Sequence, residues 1–104
     1  MNKIEIACLG ENEDIILFNG IGITPFVIND HDILMDKIDE LADLGTKVII
    51  VSDIFQDSIK ESLEKYQNRS FPIILLLPLG GYETGLGIEK IRKDVERAVG
   101  INIF

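Results

Sequence analysis

Two uninterrupted apolar runs, Val48-Ile49-Ile50-Val51 and Ile73-Ile74-Leu75-Leu76-Leu77, constrain this chain more than any other feature. A strand with one wet face alternates apolar and polar residues, whereas a strand apolar at every position needs cover on both sides. Each run has the length of a single strand. Two-sided burial is met by a parallel sheet sandwiched between helices, so the segments between the runs should read as crossover helices.

They do. Ile4, Ile6 and Cys8 alternate with Glu5 and Ala7 before Gly10 breaks the run, which predicts a first strand ending in a turn. Glu11-Asn12-Glu13-Asp14 leads into Ile15-Ile16-Leu17-Phe18, predicted as a helix of one to three turns closed by Asn19-Gly20. Phe26-Val27-Ile28 is a short β-branched run, and Pro25 suits an edge strand or its first residue. Asn29 or Asp30 is placed to cap a helix with Leu34, Ile38, Leu41 and Ala42 on one face and Asp36, Asp39, Glu40 and Asp43 opposite, ended by Gly45. After Val48–Val51, Ser52 or Asp53 should cap a helix with Phe55, Ile59, Leu63 and Tyr66 on its stripe and a Glu61–Lys65 pair on its wet side.

The alternation of strand and helix predicts an α/β fold: one four-stranded parallel sheet with helices on both faces, expected strand order 2-1-3-4. Residues 1–79 form the sheet domain in this division. Residues 80–87, within the run Pro78-Leu79-Gly80-Gly81-Tyr82-Glu83-Thr84-Gly85-Leu86-Gly87, form a flexible glycine-rich loop, and residues 88–104 form a C-terminal amphipathic helix with an apolar tail.

Composition closes off several function classes. With 104 residues there is room for one domain. Lys and Arg number 10 against 18 Asp and Glu, a net charge of −8, which opposes the clustered basic contacts that nucleic acid requires. The imbalance sits in residues 1–50, with ten acids and three bases, while residues 51–104 hold eight and seven. One cysteine, Cys8, and one histidine, His31, leave no disulfide within the chain and no zinc site of cysteines and histidines. No run approaches the ~20 apolar residues of a membrane span, and the first residues lack a signal peptide's basic flank, so the expected location is cytoplasmic.

Nothing in the chain assembles a nucleophile, a base and an oxyanion hole. Cys8, inside a strand, reads as a small apolar core residue. His31 reads as an exposed residue of a helix's first turn. The glycine-rich loop has neither a Gly-Lys-Ser/Thr ending nor GxGxxG spacing, so it matches no nucleotide fingerprint. Sheets of this kind bind ligands at the carboxyl ends of their strands. Those ends carry Glu11, Glu13 and Asp14 after the first strand and Asp53 after the third, which invites comparison with a receiver domain phosphorylated at Asp53. The lysine that would neutralise a phosphoryl group is missing from Leu77-Pro78-Leu79, and a fifth strand and helix are absent. No cofactor and no metal is implied.

The C-terminal segment holds a second candidate. Ile88, Ile91, Val95, Ala98 and Val99 recur at helical spacing, followed by Ile101, Ile103 and Phe104. Leaving the tail residues wet would forgo roughly 1.5–3 kcal/mol each. Either they fold back on this domain or they enter another protein, a common use of such a helix.

Taken in order, Ile6-Ala7-Cys8-Leu9-Gly10-Glu11-Asn12-Glu13, Phe18 and Gly22, Val48-Ile49-Ile50-Val51-Ser52, Phe71-Pro72-Ile73-Ile74-Leu75-Leu76-Leu77-Pro78 and Ile91–Ile101 resemble the F subunit of the V-type and archaeal A-type rotary ATPases. Leu17, Gly20 and Ile21 depart from that family's Gly-Phe-x-Leu-Ala-Gly element. The resemblance implies a non-catalytic central-stalk subunit, cytoplasmic and peripheral on the membrane as part of the complex. It also implies binding to the D subunit of the shaft and a C-terminal helix that reaches towards the A/B catalytic head. On that footing Ile88, Ile91, Val95, Val99, Ile101, Ile103 and Phe104 are the expected partner interface.

Overall fold

A computed structural model describes residues 4–79, together with Lys93 and Arg97, which are helical and exposed. Four parallel strands, β1 (Ile6–Gly10), β2 (Thr24–Val27), β3 (Val48–Ser52) and β4 (Ile73–Leu77), form one sheet in the order β2-β1-β3-β4. This is the expected order. The register sets Cys8 beside Pro25 and Ile50, and Ile50 beside Leu75.

The order dictates which face each connection covers. Right-handed crossovers place the helix of a leftward step on one face and those of rightward steps on the other. The step from β1 out to β2 is made by a 3₁₀ helix, η1 (Glu13–Ile21). The steps back to β3 and on to β4 are made by α1 (His31–Asp43), a short 3₁₀ turn η2 (Asp53–Phe55) and α2 (Lys60–Tyr66). Two apolar cores result. Ile6, Cys8, Val48 and Ile50 meet Ile15, Phe18, Ile23 and Leu79 on the η1 face. Ala7, Leu9, Ile49 and Val51 meet Leu34, Ile38, Leu41, Ile59 and Tyr66 on the other.

Most elements stand where the sequence puts them, with five corrections. All five residues of β1 are buried, so its apparent alternation ends at Ile6: β1 lies between two strands with cover on both faces. The first helix does not close at Asn19-Gly20. It runs to Ile21 and is capped by Gly22 at φ +86°, a left-handed conformation that favours glycine.

The other three corrections concern α2. Neither Ser52 nor Asp53 caps it by a side chain, because the chain leaves β3 through η2 and begins α2 only at Lys60. That break re-phases the helix: Ser62 and Tyr66 are buried and Leu63 is exposed. Lys65, expected to pair with Glu61, instead places Nζ 3.1 Å from an Asp39 oxygen on α1.

The capping of α1 follows the sequence closely. Asp30 accepts from the backbone N–H groups of Asp32 and Ile33 at 2.8 and 3.2 Å. At its other end Thr46 N–H donates to Leu41 O and Gly45 N–H to Ala42 O, with Gly45 at φ +86°. The loop 80–87 and the interface residues Ile88, Ile91, Val95, Val99, Ile101, Ile103 and Phe104 lie outside the described residues.

Candidate functional site at the carboxyl edge of the sheet

Connections leave β1 and β3 in opposite directions, which opens a crevice between their carboxyl ends. The crevice encloses a cavity of about 290 Å³. Glu11 and Asn12 line it from the end of β1, and Ser52, Asp53 and Ile54 from the end of β3. Pro78 and Leu79, after β4, complete its apolar side.

Local packing explains why the chain is shaped so. Gly10 passes close under two side chains: a Cβ there would meet Ile15 Cγ2 at 3.3 Å and Leu79 Cδ1 at 3.5 Å. A larger residue would push η1 or Leu79 away from the strand ends. Asn12 is already engaged, its side chain accepting from Asp14 N–H at 3.0 Å as the cap of η1. Ser52 continues the parity of Val48 and Ile50 onto the η1 face. It is 6 % exposed, and its hydroxyl has no hydrogen-bond partner among the described residues.

The candidate acids separate here. Glu11 and Asp53 share the cavity wall, while Glu13 and Asp14 sit in η1 and do not line it. Among the described residues no lysine lines the cavity and no group of three or more metal-ligating side chains occurs, so none of them gives Asp53 the surroundings of a phosphoacceptor. Cys8 is fully enclosed, and burial pushes its thiol up to about 12, which leaves it protonated and inert at neutral pH. His31 opens α1 exposed, as its position in the sequence implied.

A second cavity, about 310 Å³, lies between the end of α2 and the start of β4 and includes Leu63, Tyr66 and Arg69 in its lining. Sequence reasoning missed it. Arg69 stands 5.1 Å from the Tyr66 ring centroid. It belongs to a turn with no periodicity, so no pattern pointed to it. Its lining belongs to the same layer as the Asp39–Tyr66–Lys65 cluster that joins α1 to α2.

Comparison with known proteins bears on the chain as a whole. The sequence profile of the family described as ATP synthase (F/14-kDa) subunit matches residues 6–95. The F subunit of a V-type ATP synthase from Clostridium perfringens is 30 % identical over 100 residues, covering 96 % of this chain and 95 % of that protein. The corresponding protein of Clostridium botulinum is 27 % identical over 100 residues, covering 96 % and 97 %. The F subunit of an A-type ATP synthase from Thermoplasma volcanium is 29 % identical over 100 residues, covering 94 % and 93 %. No helix among the described residues is long and apolar enough to cross a membrane.

Proposed function

The chain belongs to the ATP synthase (F/14-kDa) subunit family, and from that premise we propose that it is a non-catalytic central-stalk subunit of a V/A-type rotary ATPase. In this role it binds the D subunit of the shaft and helps couple ATP synthesis or hydrolysis to proton or sodium transport. It sits on the cytoplasmic side, peripheral to the membrane, held there by the other subunits. The observation that carries the reading is a family match from residue 6 to residue 95, with relatives of nearly equal length.

One feature of the sequence supports it. The apolar stripe Ile88, Ile91, Val95 and Val99, extended by Ile101, Ile103 and Phe104, supplies the kind of surface that docks on a coiled coil. We assign that stripe to the contact with the D subunit and, at its far end, with the A/B head.

The test is co-expression of the full chain with the D subunit of the same organism, followed by size-exclusion chromatography. A co-eluting pair is expected. Val95→Asp in the full chain should abolish co-elution while the far-UV circular dichroism stays that of the parent. A wild-type chain that elutes alone sinks the stalk assignment. A Val95→Asp chain that still co-elutes removes the stripe from the interface.

A further inference from the structure

We propose that the cavity between the end of α2 and the start of β4 is a docking site for a polypeptide segment of a neighbouring subunit that presents one carboxylate beside apolar side chains, an inference that rests on the chain's working inside a multisubunit assembly. The lining residues lie between positions 63 and 74, a stretch described without a gap. Three features name the occupant. The first is a cation held in place. The Arg69 backbone N–H donates to Tyr66 O at 3.1 Å, which fixes the turn that carries it, and its guanidinium stands 5.1 Å from the Tyr66 ring centroid. That ring is itself fixed, being buried with its hydroxyl donating to Asp39 at 2.6 Å. Stacking on a ring occupies the flat face of a guanidinium and leaves its N–H edge open. The arginine therefore meets a partner with part of its side-chain freedom already lost, which favours binding.

The second feature is charge. Ion pairs among the described residues use Lys37, Lys47, Lys60 and Lys65, each with an acid of its own. The Arg69 side chain enters none of them, and it makes no hydrogen bond among the described residues. No acid lines this cavity among the described residues, although the chain has 18 Asp and Glu against 10 Lys and Arg. The lining thus favours an anion, and Gln67 adds an amide donor to it.

The third is apolar surface that outruns the cavity. Leu63, Pro72, Ile73 and Ile74 line it, Leu63 is 36 % exposed, and Phe71, next to Pro72 in the chain, is 47 % exposed. An occupant confined to about 310 Å³ would leave that rim wet, whereas a segment of polypeptide covers rim and cavity together. A phosphate carries more charge than one guanidinium offsets and would lose hydration against apolar walls. A single carboxylate flanked by apolar side chains matches both the charge and the lining.

The experiment has two arms. In the first, the full chain labelled with ¹⁵N is titrated with N-acetyl-Leu-Glu-Leu-amide, with N-acetyl-Leu-Gln-Leu-amide as the uncharged control. Saturable amide shifts at Tyr66, Gln67, Arg69 and Ile74 are expected with the glutamyl peptide, at an affinity roughly tenfold above the control's and falling as salt is raised. Equal affinity for the two peptides, or saturation by neither, overturns the proposal. So does isocaproate binding as tightly as the glutamyl peptide, which assigns the cavity to a small carboxylic acid.

In the second arm, Arg69→Gln, which removes the charge and keeps much of the stem, is introduced into the chain assembled with its neighbouring subunits. Assembly should weaken roughly tenfold, Arg69→Lys should recover part of the loss, and circular dichroism should show the parent fold in both. An assembly indifferent to Arg69→Gln overturns the docking site while leaving the stalk assignment intact. Self-association of the isolated chain that disappears in Arg69→Gln makes a second copy the occupant and also overturns it. If the wild-type chain forms no complex at all, the stalk assignment is what fails, and the peptide titration alone decides what the cavity takes.

Discussion

The two faces of the sheet are covered by different physics. The α1/α2 face carries two amphipathic helices whose apolar sides fill one core and whose edges are joined by polar contacts: Tyr66 Oη donates to Asp39 at 2.6 Å, and Ser62 Oγ to Met35 Sδ at 3.5 Å. The η1 face is served by a nine-residue 3₁₀ helix that presents Ile15 and Phe18, three positions apart, and turns Ile16 and Leu17 outward. Spacing of three is what a 3₁₀ helix repeats, so few side chains reach the sheet from it. Among the described residues, one face is held by more anchors than the other. A single deletion should therefore be felt more on the η1 face, where fewer described side chains can close the gap.

Phe18→Ala is the largest effect expected, since the ring is fully buried in the η1 core: about 3–5 kcal/mol lost, read as a lower midpoint in urea. Ile38→Ala on the opposite face should cost about 2–4 kcal/mol, because Leu34, Leu41 and Ile59 share its core and can partly close over it. Measured together under one set of conditions, the pair tests the contrast. An Ile38→Ala loss exceeding that of Phe18→Ala would break it.

The contrast also explains what was legible in the sequence. On the α1 face Leu34, Ile38 and Leu41 repeat with the period of an α-helix, Asp30 stands where a cap is needed, and Gly45 where a left-handed residue is needed. These are local requirements, and local sequence meets them. The registers of η1 and α2 were not legible. Phe55, Ile59, Leu63 and Tyr66 fit one continuous helix, but the 3₁₀ turn at Asp53–Phe55 interrupts it, so Ser62 takes the inward place and Leu63 the outward one. The site divides similarly. Glu11 and Asp53 could be placed at the carboxyl edge because strand ends are readable, whereas Ser52 resembled a helix cap. Only its parity with Val48 and Ile50 along β3 reveals that it faces the crevice.

The ends of α1 give smaller effects that sharpen the same comparison. Asp30→Ala removes the acceptor of two backbone N–H groups and should cost about 1 kcal/mol. Gly45→Ala meets no atom within 4 Å, so its cost is purely conformational, roughly 1–2 kcal/mol at φ +86°. Since both act on α1, hydrogen exchange should speed in Leu34–Leu41 while β1 and η1 amides keep their protection. Equal acceleration on the two faces would show that the sheet transmits the loss and that the faces are not separable.

The polar clamp gives the smallest effect and the one with a pH signature. The hydrogen bond from Tyr66, with that of Lys65 behind it, holds the Asp39 carboxyl below the usual carboxylate range. Burial, then the hydrogen bond to Asp39, raises the Tyr66 phenol. A carboxylate whose folded value is depressed adds stability that is complete above its unfolded value, near 4, and is lost as pH falls through the lower folded value. A phenol whose folded value is raised adds stability that is complete below about 10 and is lost as pH rises beyond the folded value. Tyr66→Phe should therefore cost roughly 0.5–1 kcal/mol at pH 7, a modest figure because Asp39 is 43 % exposed at its side chain. Its stability should also fall less steeply than the parent's below pH 4 and above pH 10. The η1 core offers no such pair among the described residues, so Phe18→Ala should shift the whole pH–stability curve downward without changing its shape. A Tyr66→Phe curve parallel to the parent's would mean that the contact is geometrically present and energetically silent, and that apolar packing holds both faces alike.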